Sequence, residues 1–274
     1  MSLIFGLVPR AHSLDKQNMT LAAPLGQLAR MTIDFALDFA LPPRCPGCGT
    51  IVEGDDRFCQ TCWSGIAFLS DPCCARCGIP FEVDMGADAC CGPCLAHPPP
   101  WESARAALAY GDTARTVALR LKYGRRTGVA RLMARTMLPR VPKAIGQAGE
   151  SALIIPVPLH RLRLWGRGFN QALVIARHLG KALAVPVDPF SLRRVKATRP
   201  LRDLSSRQRE RTVKGAFSLD PARTALISGK TILLIDDIHT SGATARACTR
   251  TLLQGGAAQV HLLCWARVVQ QSND

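Results

Sequence analysis

The chain has 274 residues, 47% of them hydrophobic, enough to bury a stable core in one large domain or two modest ones. Its net charge is +15, and Pro156 to Gly215 alone hold fourteen Lys and Arg against Asp188, Asp203 and Glu210, a field that attracts pyrophosphate, nucleotides or nucleic acid. No apolar run is long enough to span a membrane, and the first residues lack an apolar core ahead of a small-residue cleavage site, so the expectation is a cytoplasmic protein without membrane insertion.

Residues 1–23 carry no pattern, whereas Pro24 to Leu41 is apolar at helical spacing; an arm and a helix are expected over 1–40. The next segment, 41–98, is defined by its cysteines. Eight of the twelve form four C-x-x-C pairs: Cys45 with Cys48, Cys59 with Cys62, Cys74 with Cys77, and Cys91 with Cys94. Each pair can bring two thiolates to one tetrahedral ion, and two pairs complete a four-cysteine zinc site. Pairing in chain order closes short loops, Cys45 to Cys62 and Cys74 to Cys94, while interleaved pairing stays open. Disulfides are disfavoured in a reducing compartment, and a redox C-x-x-C needs only one motif in a βαβ setting. The expectation is a double zinc ribbon with two structural Zn²⁺. Cys73 and Cys90 adjoin ligands and are able to replace them in a shifted register; Cys248 and Cys264 read as buried thiols.

A Pro98-Pro99-Pro100 run closes the ribbons, leaving 99–274 as a second domain. There the pattern gives a strand over Ala104 to Tyr110, helices over Thr113 to Leu121 and Val129 to Leu138, and a strand over Ala152 to Val157. A helix over Arg167 to Leu183 and a basic irregular stretch over 186–217 follow. An apolar run, Ile232 to Ile235, then ends in Asp236 and Asp237, with a turn of Thr240, Ser241, Gly242, Ala243 and Thr244 behind it. A helix over Ala245 to Leu253 and a last strand over Val260 to Ala266 complete the chain. Alternating strands and helices predict a parallel α/β sheet with its ligand at the carboxyl ends of the strands.

The strand, acidic pair, small-residue turn and helix form a site for a phosphorylated sugar. Backbone N–H groups of the turn and the helix dipole can cradle a phosphate where no bulky side chain intervenes. Carboxylates one sugar away can accept from ribose hydroxyls. This segment resembles the signature of type I phosphoribosyltransferases, which bind phosphoribosyl pyrophosphate (PRPP) with Mg²⁺. Together with the cysteine pairs, Leu121-Lys122-Tyr123, Pro156-Val157-Pro158-Leu159, Arg167-Gly168-Phe169-Asn170-Gln171 and Gly215-Ala216-Phe217, it resembles the ComF family, competence-protein-F-type chains, over residues 41–268.

The resemblance implies a type I phosphoribosyltransferase fold, a parallel sheet flanked by helices, behind the double zinc ribbon. It implies a transferase of the glycosyltransferase class, with PRPP and Mg²⁺ as ligands and links to competence, DNA uptake and single-stranded DNA. A binding module without turnover is the alternative. Asp236 and Asp237 would hold the ribose hydroxyls, and Thr240, Ser241, Gly242, Ala243 and Thr244 the 5′-phosphate. Pro158 to Arg161 would meet the pyrophosphate, with Arg161 or Arg163 as its charge partner, and a hood from Lys196 to Arg211 would exclude water. Two positions depart from the family, Leu201 in place of Gln and Thr212 in place of Asn, both on the acceptor side. Thr240 stands where purine salvage enzymes commonly carry Asp, which disfavours a purine acceptor. His239 reads as an incidental loop residue able to titrate near neutrality.

Overall fold

The computed structural model describes residues 42–123, 128–198 and 205–269; the expected helix over Pro24 to Leu41 and the departure at Leu201 lie outside them. Within the ribbons are two short helices, α1 (Gln60–Ser64) and α2 (Gly92–Ala96). The chain then runs β1 (Ser103–Ala109), α3 (Asp112–Tyr123), α4 (Gly128–Met137), α5 (Lys143–Gln147), β2 (Ala152–Pro156), α6 (Arg161–Arg167) and α7 (Gln171–Leu183). It continues through β3 (Leu192–Arg194), α8 (Ser206–Val213), β4 (Phe217–Leu219), β5 (Thr231–His239), α9 (Ala243–Gln254) and β6 (Gln259–Arg267).

Four strands form a parallel sheet in the order β1-β6-β5-β2, and β3 pairs with β4 in a small antiparallel ribbon. Parallel neighbours need crossovers, so helices cover both faces and the central strands read as unbroken apolar runs. Alternation along β5 separates two cores. Leu233 and Ile235 pack with Leu121, Met133, Ile175 and Leu179 of α3, α4 and α7. Ile232 and Leu234 pack on the other face with Cys248 and Leu252 of α9 and with Leu192, Val213 and Phe217. Cys264 joins them from β6, so Cys248 and Cys264 are buried thiols as expected. The expected architecture, a helix-flanked parallel sheet behind a Cys-rich amino-terminal region, is present.

The cysteine region and the sheet make one compact unit from Pro43 onward. The outer edge of β1 would otherwise expose unpaired amides. It is covered by the segment between the two cysteine clusters: Leu69 N–H donates to Ala107 O at 2.9 Å and Ala109 N–H to Ala67 O at 2.8 Å. Further along, Ala104 N–H donates to Arg76 O at 2.8 Å. Gly78 is in the left-handed region (φ 68°), and a Cβ there would sit 2.3 Å from Ala104 O, so only glycine lets the second cluster approach β1. Arg120 of α3 ties down the first cluster, donating to Cys45 O at 3.0 Å and Pro46 O at 2.8 Å.

Three expected elements differ. The helix over Arg167 to Leu183 is broken in two, because Gly168 adopts a left-handed C-cap (φ 83°) that ends α6 and Asn170 caps α7 by accepting from Ala172 N–H at 3.0 Å. The stretch 186–217 holds β3 and α8, the latter opened by a capping box between Ser205 and Gln208. The signature strand does not stop at the acids but pairs with β6 as far as His239.

Candidate functional site

The Sγ atoms of Cys45, Cys48, Cys59 and Cys62 all lie within 4.8 Å of one another, as do those of Cys74, Cys77, Cys91 and Cys94. Pairing is therefore in chain order. A tetrahedral ion with Zn–S bonds of about 2.3 Å implies sulfur–sulfur edges of about 3.8 Å. Cys48 and Cys59 approach to 3.5 Å and Cys77 and Cys91 to 3.6 Å, so both sets fit zinc. Backbone N–H groups also converge on the sulfurs: Gly47 donates to Cys45 at 3.4 Å, Cys62 to Cys59 at 3.4 Å, and Cys91 to Cys74 at 3.3 Å. These bonds favour the thiolate form that a cation requires. The neighbouring thiols are otherwise engaged: Cys73 with the Asp71 carboxylate at 3.1 Å and Cys90 with Asp88 O at 3.7 Å.

Near the carboxyl end of β5, Asp236 and Asp237 are consecutive residues whose carboxyls lie close enough to interact. Asp237 is buried and pairs with Lys122 Nζ of α3 at 2.6 Å. Burial alone would raise its carboxyl, but the ammonium outweighs that and holds it below the usual carboxylate range. Asp236 accepts from Asp237 N–H at 2.9 Å. Burial, reinforced by the charge of Asp237, lifts the Asp236 carboxyl well above the usual range. The pair thus favours one negative charge over two. Around Asp237, a cleft of about 610 Å³ is lined by Lys122, Arg115 of α3, Arg209 of α8 and Thr240. The basic segment after β3 therefore reaches the same cleft as the signature.

The turn after β5 is shaped by Gly242, whose backbone is left-handed (φ 75°). A Cβ there would lie 3.0 Å from His239 Cε1 and 3.2 Å from the Trp101 ring. No side chain caps α9, and Arg246 N–H closes its first turn on Gly242 O at 2.8 Å, so the preceding N–H groups are left for an anion. Gly242→Ala is expected to destabilise the chain by about 1–2 kcal/mol through the left-handed backbone, with further cost if Trp101 cannot shift; a melting curve reads it. His239 is not incidental. It ends β5, meets Trp101 edge-on with centroids 5.7 Å apart, and Arg246 lies 5.3 Å over the same ring. Burial, with the charges of Arg267 and Arg246, pushes its imidazole down to about 3, so it is neutral at physiological pH.

On the other side, Arg163 of α6 donates to Thr198 O at 2.7 Å, linking the loop after β2 to the strand pair β3-β4. Arg194 of β3 stands 5.3 Å over Phe217 and is within electrostatic reach of Arg163 and Asp236; burial lowers its guanidinium and Arg163 adds to that. Arg161 is exposed at the start of α6. The structure thus gathers Asp237, Thr240 and Arg209 around one cleft, with Asp236 beside Asp237 and within electrostatic reach of Arg194, which Arg163 also neighbours. The Arg-Gly-Phe-Asn-Gln motif forms a corner: Asn170 donates to Val157 O at 3.0 Å and Arg167 to the buried Gln171 at 2.7 Å. Lys122, Arg194 and Trp101 had no role read from the sequence, although Lys122 stood inside a quoted motif.

Residues 36–95 match the double zinc ribbon domain family. Over 213 residues the chain is 32% identical to "DNA utilization protein YhgH" of Escherichia coli O157:H7, covering 77% of this chain and 90% of that protein. Over 227 residues it is 30% identical to "Competence protein F" of Haemophilus influenzae, covering 82% of this chain and 96% of that one. The chain belongs to the competence protein F family. Among solved structures, adenine phosphoribosyltransferase of Saccharomyces cerevisiae aligns at 16% identity over 62% of this chain and 81% of that one. Its TM-score is 0.34, too low to carry an argument. Family membership gives the cysteine clusters and the signature segment one common context, and among the described residues no helix is long and apolar enough to cross a membrane.

Proposed function

We propose that this chain binds PRPP with Mg²⁺ at the carboxyl edge of β5 and transfers its phosphoribosyl group to an acceptor other than a purine. One observation carries this reading: two adjacent carboxylates near the end of β5 are followed, after a short turn, by an uncapped helix N-terminus shaped by a left-handed glycine. The 5′-phosphate would sit on Thr240 to Thr244, where N–H groups and the dipole of α9 favour an anion. Asp236 and Asp237 would accept from ribose hydroxyls, Asp237 from a position fixed by Lys122. Displacing pyrophosphate from C1 builds positive charge on the ribose and negative charge on the leaving group. Mg²⁺, carried in with PRPP, supplies neutralising charge for that leaving group. Arg163 is favoured over exposed Arg161, because its bond to Thr198 holds it near Arg194.

Thr240 lines the cleft with a hydroxyl, not a carboxylate, which supports an acceptor that needs no deprotonation there. A second reading, in which the chain handles DNA and binds PRPP without turnover, is favoured by the printed names of its relatives, DNA utilization protein and competence protein. Cytoplasmic location and a boundary near Pro98 remain part of this proposal. Pyrophosphate release from PRPP and Mg²⁺, with candidate acceptors and with or without single-stranded DNA, tests it. Turnover with one acceptor supports the transferase; binding without release under every condition supports the second reading.

A further inference from the structure

The second cysteine cluster is joined to the turn after β5 through one side chain. Arg76 lies between the ligands Cys74 and Cys77. It exchanges two bonds with Trp101: the indole Nε1–H donates to Arg76 O at 3.0 Å, and Arg76 Nη1 donates to Trp101 O at 3.1 Å. Trp101 is 2% exposed, so satisfying its N–H on the C-x-x-C pair fixes the ring in one orientation. That ring meets the turn at three points along the chain. His239 packs on it edge-on, a Cβ on Gly242 would come within 3.2 Å of Trp101 Cη2, and Arg246 of α9 lies over its face. A second connection runs beside the first. Arg267, paired in register with His239, donates to Cys77 O, and Val268 N–H donates to His239 O at 2.9 Å.

We infer that Trp101 is a positioning residue, which transmits the order of the second zinc cluster to the turn that would grip the 5′-phosphate. A turn shaped by a left-handed glycine has much backbone freedom to lose on binding. Trp101 removes that freedom beforehand, so an arriving phosphate meets N–H groups already aimed at it. The inference rests on the PRPP reading for the identity of the ligand, and on the contacts of Trp101 for the order of the turn.

Hydrogen exchange of the zinc-loaded full chain tests it, together with calorimetric titration of PRPP and Mg²⁺. Trp101→Phe keeps an aromatic ring but loses the Nε1–H and the ring edge against Gly242. Arg76→Ala, a partly exposed change, removes the guanidinium bond to Trp101 O. In both, the amides of 240–246 should lose protection while those of β2 keep theirs, with the smaller loss in Arg76→Ala. An open turn cannot hold a phosphate, so a turn ordered about one-tenth of the time should bind PRPP roughly tenfold more weakly. Cys77→Ser, which forfeits the second zinc site, should open the turn in the same way. Trp63→Phe, an aromatic change at the first cluster, should alter neither reading. Unchanged protection at 240–246 in Trp101→Phe or in Cys77→Ser overturns the inference. So does an equal loss at β2, the mark of a generally weakened fold, or an opened turn with PRPP affinity at the wild-type value. Wild-type chain that binds no PRPP, while the variants still open the turn, overturns the PRPP reading and leaves the coupling standing.

Discussion

Stripping zinc is expected to unfold far more than the cysteine clusters. Structural Zn²⁺ in small modules contributes about 10–16 kcal/mol of apparent binding free energy at pH 7. A whole domain is stable by only about 5–15 kcal/mol. Loss of one metal is therefore on the scale of the entire fold, unless the rest of the chain is independent of the clusters. It is not independent. The outer edge of β1 bonds to Ala67, Leu69 and Arg76, and Arg120 of α3 bonds to the Cys45 turn. Metal analysis should give close to two Zn²⁺ per chain, and a strong chelator should lower the melting temperature of the whole compact unit. Cys45→Ser and Cys74→Ser should each reproduce part of that drop. Well under one equivalent of zinc with oxidised thiols, or a melt indifferent to chelator, contradicts this.

The two adjacent aspartates are expected to respond unequally to the same isosteric change. On sequence grounds both belong to a solvent-facing strand end, where Asp→Asn leaves stability alone. The structure corrects this for Asp237. Its side chain is 8% exposed and that of Lys122 only 21%, so Asp237→Asn leaves an ammonium in a largely buried place without its counter-charge. Breaking such a pair costs about 3–5 kcal/mol. Asp236→Asn removes a carboxyl that already resists ionisation, so its melting temperature should barely move. The pH dependence follows in sign. The Asp237 carboxyl is held low by Lys122, so its contribution is fully present above the unfolded value of about 3.9 and disappears as pH falls through the folded one. Melting curves of both variants near neutrality and in acid check this; equal shifts for the two positions contradict it.

The signature was legible because its parts are contiguous: apolar strand, acids, small turn and helix all lie between Thr231 and Gln254. The zinc ligands were legible because each knuckle is local, although chain-order pairing needed the distances. What stayed hidden depends on tertiary placement. Lys122 meets Asp237 across more than a hundred residues, and no local pattern connects them. The break at Gly168 hides inside a periodic stretch, since one left-handed residue ends a helix without disturbing the spacing of Ala172, Ile175 and Leu179. Strands β3 and β4 have three residues each, too few to show alternation in so basic a segment. His239 was misread for want of Trp101, which packs on it from far upstream.

The central proposal is PRPP binding at the end of β5, and calorimetric titration of PRPP with Mg²⁺ tests it most directly. Wild-type chain should bind. Asp236→Asn, whose fold is expected to survive, loses a carboxyl hydrogen bond to a ribose hydroxyl worth about 0.5–1.5 kcal/mol while that carboxyl stays un-ionised and should bind roughly two- to tenfold more weakly. Wild-type chain that gives no heat and no competition with pyrophosphate, or Asp236→Asn that binds as tightly as wild type, contradicts the assignment.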